Sequence, residues 1–165
     1  MEEKVILVDK KGKFLGLRKK EDAHIYPSKL HKAISVLIFD KNKILIQKRA
    51  KNKKTWPMHW ANACCSHPRK GESFQKAAER RLFEEMGIKT KLKKVFKFIY
   101  ESKFDKNWGE NEYDWVFVGE YKGKVNPDPN EIAEYKWIDL EELRKDIKNN
   151  SQIYTPWFRT ILERV

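Results

Sequence analysis

The segment GESFQKAAERRLFEEMGI, residues 71–88, constrains the fold of this 165-residue chain more than any other. Phe74, Ala77, Ala78, Leu82 and Met86 recur at helical spacing, and Gly87 supplies a stop. Strand patterns flank this helix on both sides. Before it come VILVD and FLGLR, joined by a turn in KKGK. A polar stretch, KKEDAHIYPSKLH, follows, in which Pro27 opposes regular structure. AISVLIFD and KILIQKR then read as a strand pair around the turn DKNK, and TWPMHWANACC as a short strand with a bend. After the helix, KVFKFIYESKF and NEYDWVFVGEY are long strands, VNPDPNE is a loop and EYKWIDL a last strand. LEELRKDI is a helix, and TPWFRTILERV begins another with Thr155 as cap and Pro156 in the first turn. A helix set among strands buries its apolar stripe against a sheet. The expected fold is therefore one α/β domain over residues 1–165, a mixed sheet between helices.

Composition narrows the class. The chain is 40% hydrophobic and 13% aromatic, enough for a globular core. No run of about 18 apolar residues is present, so no membrane-spanning helix is expected. The start, MEEKVILVDK, does not resemble a secretory signal. The two cysteines, Cys64 and Cys65, are neighbours and cannot form a disulfide framework. The expectation is a reduced, cytoplasmic protein. The net charge of +12 is compatible with nucleic-acid binding, with a phosphorylated small substrate, or with a solvated lysine-rich surface. No nucleic-acid motif accompanies it.

Three groups of residues carry chemistry. The stretch ANACCSHP sets a thiol pair two residues before His67. On the central helix Arg81 and Glu85 share a face, and Glu72, Glu84 and Glu85 form an acidic group, either a magnesium site or an ordinary charged helix surface. His24 and His31 bracket the Pro27 stretch, and GENEYD supplies Glu110 and Glu112, which point to one side of a strand. Two such carboxylates repel unless a cation or a shared proton lies between them.

The helix segment resembles a Nudix box, G-x5-E-x7-R-E-U-x-E-E-x-G-U, with U apolar. It reads Ser66, Glu72, Arg80, Arg81, Leu82, Glu84, Glu85, Gly87, Ile88, so seven of nine fixed positions match. Ser66 replaces the first glycine and Arg81 replaces a glutamate with which Nudix hydrolases hold metal. A cation at that position weakens a hydrolytic metal cluster and favours binding of a diphosphate. Across nearly the whole chain the sequence is also similar to the type I isopentenyl-diphosphate isomerases, a Nudix-fold family. The similarity rests on A-H-x6-H at His24 and His31, N-x-x-C-x-H-P at Asn62, Cys65, His67 and Pro68, E-N-E at Glu110 to Glu112, the aromatic Tyr100, and S/T-P-W at Trp157.

That resemblance implies an α/β/α Nudix sandwich and a double-bond isomerase. It implies that His24, His31, His67, Glu110 and Glu112 hold one divalent ion, Zn²⁺ or Mn²⁺, and that Glu85 holds Mg²⁺ bridging to the substrate diphosphate. Lys20, Arg49, Lys53 and Arg81 match its phosphate-binding positions. Cys65 and Glu112 would transfer protons, with Tyr100 as relay, and Trp157 would offer a π-face to a developing cation. Cys64, facing the other side of its strand, would be a bystander. The expected partner is a small diphosphate, with no nucleic acid, no membrane and a monomeric chain. The alternatives are a Nudix pyrophosphohydrolase, permitted by Glu72, Glu84 and Glu85 but opposed by Arg81, and a basic nucleic-acid-binding module supported by charge alone.

Overall fold

The computed structural model describes residues 2–165. Strands β1 (Lys4–Val8) and β2 (Phe14–Lys19) form an antiparallel hairpin, and a single turn of helix, α1 (Lys20–His24), follows. β3 (His31–Asp40) and β4 (Lys43–Arg49) come next, then two three-residue strands, β5 (Trp60–Asn62) and β6 (Cys64–Ser66). The long helix α2 (Phe74–Met86) precedes β7 (Leu92–Lys103), β8 (Gly109–Glu120) and β9 (Ile132–Asp139). Helices α3 (Leu140–Asn149) and α4 (Pro156–Leu162) close the chain.

All nine strands among the described residues belong to one mixed sheet. β3 is its hub. It pairs in parallel with β8 along nearly its full length and antiparallel with β6, and touches β1 and β4 at its two ends. Alternation along β3 serves both faces at once. Ile34, Val36 and Ile38 meet Ala77, Ala78, Leu82 and Met86 of α2 on one side. Leu37, with Ile44, Ile46 and Val116, meets Leu143 of α3 and Trp157, Phe158, Ile161 and Leu162 of α4 on the other. The expected α/β/α layering is therefore present. α2 stops where its sequence foretells, Gly87 ending the helix at φ 69°, and its start is capped by Ser73, whose Oγ accepts from the Lys76 amide at 3.1 Å. A side chain at Gly87 would also press its Cβ to 2.9 Å from Asn126 Cβ, so glycine is required there twice over.

Two local expectations need correction. The stretch before Pro27 is not irregular throughout, since Lys20–His24 makes a helical turn that ends before the proline's restriction begins. The segment TWPMHWANACC is not one bent strand but a turn and then two strands. β5 pairs with β4 and β6 with β3, so the chain steps between neighbouring strands at Ala63.

Leu82 is 1% exposed against the sheet, whereas its neighbour Phe83 is 48% exposed. Leu82→Ala is expected to cost about 3 kcal/mol of unfolding free energy, and Phe83→Ala less than about 1 kcal/mol. Urea titration followed by circular dichroism measures both, and equal losses would refute the assignment of helix faces.

Candidate active site

Strand register assembles the centre. β3 and β8 place His31 opposite Glu112, and the pleat sends Glu110, Glu112 and Asp114 to one face of β8. α1 ends on His24, and the chain leaving β6 delivers His67. The three imidazole ring centres lie 4.7, 5.0 and 5.4 Å apart. Glu112 Oε2 is 3.1 Å from His31 Nε2 and 2.7 Å from His67 Nε2, and Glu110 Oε2 is 2.7 Å from His24 Nε2. One ligand atom from each of His24, His31, His67 and Glu112 lies within 4.8 Å of all the others, and all four residues are buried. Glu110 stands beside this group of four, joined to it through His24.

Two backbone carbonyls decide which ring nitrogens face inward. His24 Nδ1 is 2.7 Å from the Lys20 oxygen, and His31 Nδ1 is 2.7 Å from the Lys29 oxygen. A carbonyl only accepts, so each Nδ1 carries a proton and each Nε2 is turned to the centre. There it meets carboxylate oxygens, and such pairs repel unless a proton or a metal ion lies between them. Burial opposes charge on His24, but Glu110 and Glu112 overcome it and raise its pKa to about 9. Burial wins at His67, lowering it to about 4. Burial also pushes Glu112 upward, yet hydrogen bonds from His31 and His67 hold it well below the usual carboxylate range. Glu110 Oε2 is buried and its 2.7 Å approach to His24 Nε2 is poorly aligned for a hydrogen bond, a contact that a cation between the two would satisfy. Three imidazoles with carboxylates suit a transition ion rather than Ca²⁺.

A cavity of about 250 Å³ opens beside the cluster. His24, His67, Glu110 and Glu112 line it together with Lys20, Arg49, Lys53, Cys65 and Trp157. Arg49 donates through Nε and Nη2 to the Thr55 carbonyl at 3.1 and 2.9 Å, and its guanidinium sits 5.1 Å from the Trp157 ring centre. The Cys65 thiol donates to Asn62 Oδ1 at 3.1 Å and accepts from Trp157 Nε1 at 3.1 Å. Burial raises its pKa despite the pull of Arg49, so the sulfur stays protonated. Cys64 points to the opposite face, 3.7 Å from Glu85 Oε2. Tyr100 donates a short hydrogen bond to Glu112 Oε1 and stacks on Trp157 with ring centres 5.9 Å apart. Trp56, in left-handed backbone at φ 45°, buttresses Trp157 edge-on at 5.7 Å.

Tyr100, Arg81 and Glu85 stand behind the cavity lining. Arg81 donates to Glu85 Oε2 and to Ser66 Oγ, each at 2.8 Å, and to Glu84 Oε1 at 3.1 Å. Burial raises the pKa of Glu85, and Arg81 opposes that rise. The sequence reading missed several supporting residues. Glu131 pairs with Lys53 and lies 3.5 Å from Arg81. Thr55 Oγ1 donates to Glu110 Oε1 at 2.8 Å. Neither residue has a sequence signal. Asp114, fully buried and accepting from Ser35 Oγ at 2.7 Å, could have been found as the next same-side acid after Glu110 and Glu112.

The fold and this centre define a class, a Nudix domain carrying a buried histidine–carboxylate cluster beside a basic cavity. The NUDIX domain family matches residues 29–158. Aromatoleum aromaticum isopentenyl-diphosphate Delta-isomerase 2 is 42% identical over 166 residues, spanning 100% of this chain and 87% of its own length. The isopentenyl-diphosphate delta-isomerase of Schizosaccharomyces pombe is 37% identical, covering 99% of this chain and 81% of its own. Among solved structures, DR0079 from Deinococcus radiodurans superposes with a TM-score of 0.81 at 17% identity, over 98% of each chain. A MutT protein from Methanosarcina mazei gives 0.68 at 22% identity, over 82% of this chain and 91% of its own. The chain belongs to the Nudix superfamily and, within it, to the isopentenyl-diphosphate Delta-isomerases.

With its pKa near 9, His24 is protonated at neutral pH, and a bound metal must displace that proton. Metal uptake at pH 7 is expected to release about one proton, falling toward zero above pH 9–10. Calorimetry in buffers of different ionisation enthalpy measures this number, and zero release at pH 7 would remove His24 from the ligands.

Proposed function

We propose that this chain interconverts isopentenyl diphosphate and dimethylallyl diphosphate by moving a proton onto one end of the allylic unit and taking another from two carbons away. The observation that carries this reading is the join at Trp157. Its indole N–H holds the Cys65 sulfur and its ring stacks on Tyr100, whose hydroxyl holds Glu112, so both proton-transfer groups are fixed to one aromatic side chain. Relatives of this chain bear the isomerase name.

The residues divide the work. Lys20, Arg49 and Lys53 give the cavity a cationic part suited to a diphosphate. Arg81 and Glu85 stand behind it, and Glu85 is the residue that would hold Mg²⁺ against the bound diphosphate. His24, His31, His67, Glu110 and Glu112 would hold Zn²⁺ or Mn²⁺. When bound, that ion supplies positive charge that sets the acidity of Glu112. Cys65 carries an exchangeable proton on sulfur. Glu112, with the Tyr100 hydroxyl against its Oε1, carries or receives the other. The reaction runs in both directions, so each group is acid in one and base in the other. Protonating an unactivated alkene builds positive charge on a tertiary carbon. Trp157 meets that charge with its π-face, worth about 2 kcal/mol in a dry site. Its ring already faces the Arg49 guanidinium. Trp157, Trp108 and Cys65 are the apolar part of an otherwise polar lining, and the bound substrate itself must fill the cavity to exclude the water that would capture the cation.

Incubation with isopentenyl diphosphate and Mg²⁺ in D₂O, followed by proton NMR, tests the reading. Dimethylallyl diphosphate carrying deuterium at allylic positions is expected. Unchanged substrate, with phosphate released from nucleoside triphosphates, would establish a hydrolase instead. Cys65→Ala is expected to lower kcat by about 10³-fold or more, in line with loss of a positioned acid or base, whereas Cys64→Ala retains most activity. Comparable losses in the two variants would remove Cys65 from the catalytic pair.

A further inference from the structure

A second groove lies away from the catalytic cavity, between α3 and α4, with a volume near 580 Å³. Its polar lining is dominated by cations. Arg144 and Lys148 come from α3, Arg159 comes from α4, and the hydroxyls of Ser151 and Thr160 accompany them. Glu163 is the single acid in the wall, and Ile147, Pro156 and Leu162 provide apolar surface.

Helix stability does not account for this arrangement. Arg144 and Lys148 stand four residues apart on one face, where like charges repel. Arg159 Nε is buried without any hydrogen-bond partner, and Glu163, one turn on, does not supply one. The residue as a whole is half-buried, but a buried N–H donor left unsatisfied is costly, and folded proteins seldom retain one without a partner to meet it. Arg144 is steadied by donating Nη1 to the Leu162 carbonyl at 2.8 Å and Nη2 to the Val165 oxygen at 2.5 Å, with Glu141 Oε1 3.8 Å from its Nε. That leaves Lys148 and Arg159 as the groove's cations without an acid partner among the described residues. The nearby acid Asp146 is occupied by Tyr154 and by Asn150, the latter at 2.8 Å, and offers the cations nothing.

We infer that this groove binds an amphiphilic phosphate or diphosphate ester, its anionic head on Arg144, Lys148 and Arg159 and its apolar tail along Ile147, Pro156 and Leu162. Guanidinium groups match phosphate oxygens in geometry as well as charge. The site is distinct from the catalytic cavity, with which it shares no lining residue. It nevertheless grips α4, whose buried side carries Trp157.

The test is amide NMR of the full-length, metal-replete protein titrated with geranyl diphosphate and, separately, with inorganic diphosphate. Saturable shifts at Ser151, Arg159 and Thr160 are expected, with a midpoint different from that of any shifts at Arg49 and Thr55 in the catalytic cavity. Arg159→Gln should weaken that response about tenfold, the loss expected for one charge-assisted contact. The solvent-exposed Lys148→Gln, which does not threaten folding, should weaken it by a smaller factor while isomerase activity stays at the wild-type level. Geranyl diphosphate should bind this groove more tightly than inorganic diphosphate. Shifts confined to Lys20, Arg49 and Thr55, or a groove response unaltered in both variants, would overturn the site. Equal affinity for the two probes would overturn the amphiphilic ligand class.

Discussion

Everything at the catalytic centre depends on the parallel pairing of β3 with β8. That register sets His31 opposite Glu112, and Ser35, four residues on, reaches Asp114 with its hydroxyl. The antiparallel pairing of β6 on the same β3 then sets Cys65 opposite Ser35. Three strands distant in sequence thus deliver a histidine, a carboxylate and a thiol to one end of the sheet. A slip of one residue in either ladder would turn these groups to the opposite face. β3 is apolar on both faces, so the polar pairings that only this register allows, Ser35 with Asp114 and His31 with Glu112, oppose the slip.

The same pleat explains the paired cysteines. Successive residues on β6 point to opposite layers, so Cys64 is committed to the α2 side and Cys65 to the cavity. Their environments part accordingly. Burial raises the pKa of both thiols, but Cys64 also feels Glu85, while Cys65 feels Arg49 and the indole N–H of Trp157. The chemistry assigned to one thiol and withheld from its neighbour is therefore a consequence of strand geometry rather than of cysteine reactivity in general.

Much of this was legible in the residues, and the reasons are specific. The α2 stripe of Ala77, Ala78, Leu82 and Met86, with Gly87 as its stop, is a local pattern and survives folding unchanged. Cys65, His67, Glu110, Glu112 and Trp157 lie in short motifs, and the fold brings them together. The contacts that hold the motif residues in place were not legible. Arg49 to the Thr55 carbonyl, Thr55 to Glu110, and Glu131 to Lys53 join residues whose types are common and whose spacings carry no period. Helix α1 was also hidden. Its five residues are too few to show a helical stripe, and Pro27 nearby spoke against it.

The departure at Arg81 ties fold to chemistry. In the Nudix pattern this position is a glutamate, and a carboxylate beside Glu84 and Glu85 would concentrate negative charge that only bound metal ions could balance. Here a guanidinium occupies it and draws Glu84, Glu85 and Glu131 around itself. The three carboxylates are thus balanced by the protein's own cations, Arg81 on Glu85, Arg80 on Glu84 and Lys53 on Glu131. A multi-metal site able to activate water for attack on phosphorus is weakened by that exchange. In the proposed reaction the cavity's cationic groups, Lys20, Arg49 and Lys53, hold a diphosphate that is not cleaved, and Cys65 and Glu112 with Tyr100 serve proton transfer at carbon. On that reading the exchange at Arg81 removes a metal-holding carboxylate from the helix face and leaves contact with the diphosphate to the cations that line the cavity.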